Sequence, residues 1–140
     1  MAYATVADMI SRYGLDELVA ATASRDEPLD TLNQGRVEQA LDDASSLIDS
    51  YLIRRYVVPV NPVLPVLKHA CCKLARYALA TSDRLTPTDQ MRADRKDAQT
   101  WLADIGAGRA TLDNAVAADR SGEWSRFAAR RPGLSDTRCF

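Results

Sequence analysis

The sequence predicts an all-α fold, a small antiparallel helical bundle of about four helices followed by an extended C-terminal arm. Three observations predict it. Apolar residues, mostly Ala, Leu and Val, recur at three- and four-residue spacing through most of the first 108 residues. Capping residues and glycines bracket those stretches. Past Gly108 the periodicity fades and arginines and aromatics take over. The division is therefore a helical-bundle domain over residues 1–108 and an arm over 109–140. A chain of 140 residues suits one compact domain.

The first helix is predicted over Thr5 to Tyr13, with Thr5 as N-cap, an apolar stripe of Val6, Met9, Ile10 and Tyr13, and Gly14 just past its end. Asp8 and Arg12 stand four residues apart on its wet side, the spacing of an ion pair. A short second piece, Asp16 to Thr22, makes one helical turn or two around Leu18 and Val19. Residues 23–35 are charged and marked by Pro28 and Gly35, which reads as a loop. The strongest helix follows, over Arg36 to Tyr56. Val37, Ala40, Leu41, Ala44, Leu47, Ile48, Tyr51 and Leu52 form one face, opposite Glu38, Asp42, Asp43, Ser46, Asp49 and Ser50. Arg54 and Arg55 close it, where cations suit the negative end of the dipole.

Pro59, Pro62 and Pro65 forbid a continuous helix and impose a stiff, extended link. Pro65 fits the first position of the next helix, Pro65 to Ala80. That helix is apolar around most of its circumference, which calls for burial on several sides, within the domain or against a neighbouring subunit. The last helix is predicted over Thr88 to Ile105, capped by Thr88 or Asp89. Its stripe is Met91, Ala98, Trp101, Leu102 and Ile105, and Gly106 and Gly108 stop it. Arg92, Asp94, Arg95, Lys96 and Asp97 mark a solvated face.

Composition narrows the function. The formal net charge is −1, which argues against a generic polyanion binder. It is unevenly spread: the arm holds six arginines against four acids, and the preceding 108 residues hold 12 cations against 15 acids. No apolar stretch approaches the roughly 20 residues of a membrane span. Met1-Ala2-Tyr3-Ala4-Thr5 has neither a basic nor an apolar leader region, so no signal peptide is expected. Three cysteines, two of them adjacent, do not form a disulfide framework and fit a reducing compartment.

Chemistry-bearing clusters are sparse. His69 and Cys72 lie three apart on one helical face beside Cys71, but a zinc site needs three or four ligands and nothing else stands at ligand spacing. Buried cysteines acting as small hydrophobes are the expected state. Asp42, Asp43 and Asp49 read as a wet helix face, not an acid–base cluster. Gly106 and Gly108 follow a helix where a phosphate-binding loop would open one. Arg54, Arg55, Arg130 and Arg131 are candidate phosphate contacts, yet acidic helices alongside predict weak DNA affinity. No catalytic, cofactor or metal residue is assigned, and no enzymatic activity or cofactor is expected. Partner binding is assigned to the arm, through Trp124, Arg126, Phe127, Arg130, Arg131 and Phe140, because aromatic and arginine anchors have the composition of binding hot spots.

Several stretches resemble, in order, the head–tail connector (adaptor, or head-completion) family of Mu-like prophages and related long-tailed phages. They are Tyr3-Ala4-Thr5-Val6-Ala7-Asp8-Met9-Ile10-Ser11-Arg12-Tyr13-Gly14 with Asp16-Glu17-Leu18, and Ala40-Leu41-Asp42-Asp43-Ala44-Ser45-Ser46-Leu47-Ile48-Asp49-Ser50-Tyr51-Leu52 running into Arg55-Tyr56 and the proline link. Lys73-Leu74-Ala75-Arg76-Tyr77 and Asp97-Ala98-Gln99-Thr100-Trp101-Leu102-Ala103-Asp104-Ile105-Gly106-Ala107-Gly108 continue it. Arg126-Phe127-Ala128-Ala129-Arg130 and Cys139-Phe140 are similar to the family's ending, with Ala in place of Ser and Cys139 in place of Gly. The resemblance implies a structural virion subunit, assembled in the bacterial host cytoplasm, whose twelve copies form a ring in the neck. Its partners would be further copies of itself, the portal protein and a tail-side neck or tail-completion protein. Double-stranded DNA would pass through the lumen without sequence-specific binding, and no membrane is involved. The alternative reading is a small helical DNA-binding regulator. That needs a basic recognition helix and a turn linking two helices at a steep angle, whereas the helices here are joined by a long proline link and polar loops and none has a basic face.

Overall fold

The computed structural model describes residues 2–118, apart from 25, 27, 29, 82–84 and 114. Five helices lie among the described residues: α1 (Val6–Tyr13), α2 (Leu15–Thr22), α3 (Gln34–Leu52), α4 (Pro65–Ala80) and α5 (Asp89–Ala107). The all-α class follows the sequence reading, with the short second piece now a full eight-residue helix.

Local signals set most ends. Thr5 accepts the amide of Asp8 while the Asp8 carboxylate accepts that of Thr5, a reciprocal capping box at α1. Gly14, at φ +89°, ends α1 and opens α2 in a conformation L side chains rarely adopt, so the two helices turn without a linker. Thr88 caps α5 through the amide of Met91, and Gly108 ends it in the left-handed region at φ +90°.

Some boundaries differ from the sequence reading. α3 starts two residues before Arg36 because Asn33 accepts the amide of Arg36 as a cap. It ends at Leu52 and not at Tyr56, so Arg54 and Arg55 lie beyond its last turn. Gly106 lies inside α5 and does not stop it. A Cβ built there would stand 2.9 Å from the carbonyl oxygen of Tyr51, so its missing side chain is what lets α5 approach α3.

α3, α4 and α5 each pack on the other two, and the α1–α2 pair covers the α3–α4 side. α4 is central. Leu67, Ala70, Cys71, Cys72, Leu74, Ala75, Leu79 and Ala80 are all buried, against α2, α3 and α5 of the same chain. Fully burying a large aliphatic side chain contributes about 1.5–3 kcal/mol, mostly offset by chain entropy. The link after α3 holds cis bonds at Val58–Pro59 and Asn61–Pro62 and buries Val60. Beyond α5 the chain doubles back. Leu112 is buried, and its amide donates to the Tyr56 hydroxyl at 2.9 Å. Tyr56 and Ala117 form an antiparallel bridge, flanked by Val57 N–H to Val116 O and Ala118 N–H to Arg55 O, both 2.8 Å.

Candidate interaction site

The candidate residues divide by position. Trp124, Arg126, Phe127, Arg130, Arg131 and Phe140 lie outside the described residues. Asp42 and Asp43 are exposed on α3, as the sequence reading has them. Asp49 is different: it accepts the hydroxyl of Tyr3, which itself accepts the amide of Val60 at 3.0 Å. The amide of Tyr3 donates to Ser45, and Ser45 to the carbonyl of Leu41. This chain of bonds ties the N-terminal segment and the proline link to α3. Burial and the Asp49 carboxylate push the Tyr3 phenol well above its ordinary pKa.

Arg55 also has a role the sequence does not suggest. Its Nη1 donates to the carbonyls of Ile105 at 3.1 Å and Ala110 at 3.2 Å. The cation does sit at a helix C-terminus, but at that of α5 and not its own. Arg54 is exposed.

His69 and Cys72 are parted by the structure, although three residues apart on α4. Cys72 is fully buried, and burial pushes its thiol up to about 11. The Cys71 thiol is raised for the same reason. His69 is exposed, and its Nδ1 accepts from Nη1 of Arg12 at 3.1 Å, since a guanidinium only donates. Partial desolvation, then Lys73 and Arg12, hold the imidazole below its ordinary pKa. Arg12 therefore pairs with His69 and not with Asp8, which takes Lys68 at 3.4 Å. Among the described residues no group of three or more His, Cys, Asp or Glu is placed to hold a metal ion. No helix of the described residues is long and apolar enough to cross a membrane.

A groove of about 500 Å³ runs along the outer seam between α4 and α5, with the end of α1 as its third wall. Pro65, Val66 and Trp101 line it with Ala70 and Ala98, so it is mainly apolar. Arg12 and Lys73 bring positive charge to it, against Asp97 in its lining and Asp94, which stands 4.0 Å from the Lys73 ammonium. Val66 is 50% exposed there. The sequence reading does not assemble this site. Its one signal is the set Val66, His69 and Lys73 on the side of α4 opposite Leu67, Cys71 and Leu74. Val57 and Val116 pair across the short antiparallel bridge and are both at least half exposed, as is Ile53 just past the end of α3. Both surfaces suit protein contact. Exposed aliphatic and aromatic groups rimmed by charge are what an interface core needs.

Residues 3–128 match the family described as Bacteriophage Mu, Gp36. Over 128 residues the chain is 37% identical to "Gene product J" of Escherichia phage Mu, covering 88% of this chain and 86% of that protein. Over 110 residues it is 38% identical to "Mu-like prophage FluMu protein gp36" of Haemophilus influenzae, covering 79% and 74%. The family match runs through all five helices, the groove between α4 and α5 and the return past Tyr56. The chain belongs to the Bacteriophage Mu Gp36 family.

Proposed function

We propose that this protein is a non-enzymatic structural subunit of the virion, a head–tail connector that forms a ring between portal and tail and lets double-stranded DNA pass. The observation that carries the reading is surface left over after folding. The chain already buries a core running from Tyr3 to Leu112, yet Ile53, Val57, Val66 and Val116 stay half exposed or more, and the groove beside Trp101 stays open. A small helical protein of a Mu-like phage with such surface has the makings of an assembly part. Rings close through heterologous contacts, which require two different faces on each subunit. The excess of acids in the first 108 residues suits a lumen through which DNA slides without sticking. The arm, through Trp124, Phe127 and Phe140, docks on the portal or on an adjacent subunit.

The test is the mass of the chain alone and with portal, together with deletion of residues 120–140. Monomer alone and a ring of about twelve copies on the portal support the reading. A chain that remains a monomer beside portal-containing heads overturns it. The deletion variant should keep its helical spectrum and fail to join heads; unchanged attachment removes the arm from the mechanism.

A further inference from the structure

We propose that the α4–α5 groove receives a second copy of this chain, and that the part it receives is the outer face of α3. The proposal deepens the ring reading and rests on it for closure, but its contact is argued from this structure alone.

The groove asks for a particular occupant. Its upper end, at Val66 and Trp101, is apolar, and its flank carries Arg12, His69 and Lys73. Nη1 of Arg12 is held by a neutral imidazole, which leaves the guanidinium charge uncompensated at that bond. A fitting surface is therefore acidic at one end and aliphatic at the other, with nothing bulky between.

The outer face of α3 has that pattern. Asp42 and Asp43 are exposed near its middle and Ile53 is 51% exposed at its end. Between them Ser46 and Ser50 are exposed small residues. Their hydroxyls already donate within the helix, to the carbonyls of Asp42 and Leu47. A close approach there leaves no hydroxyl unsatisfied. Asp43 and Ile53 are about 15 Å apart along the helix, and Val66 and Lys73 about 10 Å along α4. The flexible lysine stem, leaving its 4.0 Å pair with Asp94, spans the difference. Laid antiparallel to α4, Ile53 reaches Val66 and Trp101 while the two carboxylates reach Lys73, His69 and Arg12.

The placement of the two faces favours a head-to-tail contact. In a three-helix core the outward seam of two helices lies opposite the outer face of the third, and α3, α4 and α5 form such a core. A contact between opposite faces leaves both free ends available, so it repeats, and a small rotation per copy closes it into a large ring. The arm is the poorer occupant. Residues 119–140 hold five arginines against three acids, an excess of the same sign as the Arg12 cation on the groove's flank.

Disulfide trapping tests this on the full chain with Cys139→Ser, added to portal-containing heads. The double variant Ile53→Cys, Val66→Cys should give, on mild oxidation, a ladder of linked trimers and larger species. That ladder should exceed by about tenfold the one from Ile53→Cys, Thr100→Cys, whose second cysteine lies outside the groove. Adding Asp42→Lys and Asp43→Lys should cut the ladder about tenfold, with unchanged circular dichroism. Restoration of the ladder by mixing that variant with one carrying Arg12→Glu supports charge pairing across the contact. No ladder above the control, or linkage that stops at a dimer, overturns the proposal. Loss of the ladder on deleting residues 120–140, with the charge variants silent, assigns the groove to the arm instead. A ring on the portal without this cross-link keeps the ring reading and ends this one; a long open ladder that never closes does the reverse.

Discussion

Gly106→Ala is the substitution whose outcome the packing decides most sharply. In a helix interior, alanine is favoured over glycine by about 1 kcal/mol, so helix propensity alone predicts a stabilised protein. The tertiary structure opposes that. The new Cβ would stand 2.9 Å from the carbonyl oxygen of Tyr51, where ordinary contact begins at 3.4 Å. The obstruction is backbone of α3 and does not swing aside as a side chain would. α3 and α5 must separate, disturbing the packing of Ile48, Leu52, Leu102 and Ile105, all fully buried. Overpacking of this kind costs about 1–3 kcal/mol. The net expectation is a loss of about 1 kcal/mol for alanine and about 3 kcal/mol for Gly106→Val. Urea unfolding followed by far-ultraviolet circular dichroism reads this as a lower midpoint at unchanged slope. Gly35→Ala is the control: its Cβ would meet only the Asn33 side chain at 3.5 Å, so it should be neutral or slightly stabilising. A Gly106→Ala protein as stable as the parent refutes the claim that α3 and α5 meet backbone to Cα at this position.

Three further outcomes follow from the buried contacts. Tyr3→Phe removes the donor to Asp49 and leaves the Val60 amide without its acceptor; a loss of about 1–3 kcal/mol in urea unfolding is expected, and no loss would make the network incidental. Arg55→Ala removes a donor from the carbonyls of Ile105 and Ala110, so amide exchange over residues 110–118 should speed up well before that of α3; uniform acceleration throughout would contradict the local role. Because the folded chain holds the Cys72 thiol at about 11 against an ordinary 9.0, the unfolded chain loses that proton first. Its contribution is whole below pH 9 and falls as pH rises toward 11, so Cys72→Ala should flatten that part of the stability–pH curve. A curve unchanged by the substitution would refute it.

The sequence by itself determined the helices and most of their ends. The 3.6-residue spacing of Val37, Ala40, Leu41, Ala44 and Ile48 requires one buried face whatever covers it. Thr5, Gly14, Pro65, Thr88 and Gly108 act on amides and carbonyls within a turn of themselves, so local reading suffices. Only the tertiary structure decided what depends on residues far apart in the chain. Tyr3 meets Asp49, Arg55 clasps the end of α5, and Leu112 returns to Tyr56. Gly106 reads as a stop signal until α3 is seen pressed against it. The groove is of the same kind, since Arg12, His69, Lys73 and Trp101 come from three helices. The physical reason is range. Capping and amphipathic period act over a few residues, whereas which charge or small residue faces which partner is settled only when whole helices choose their neighbours.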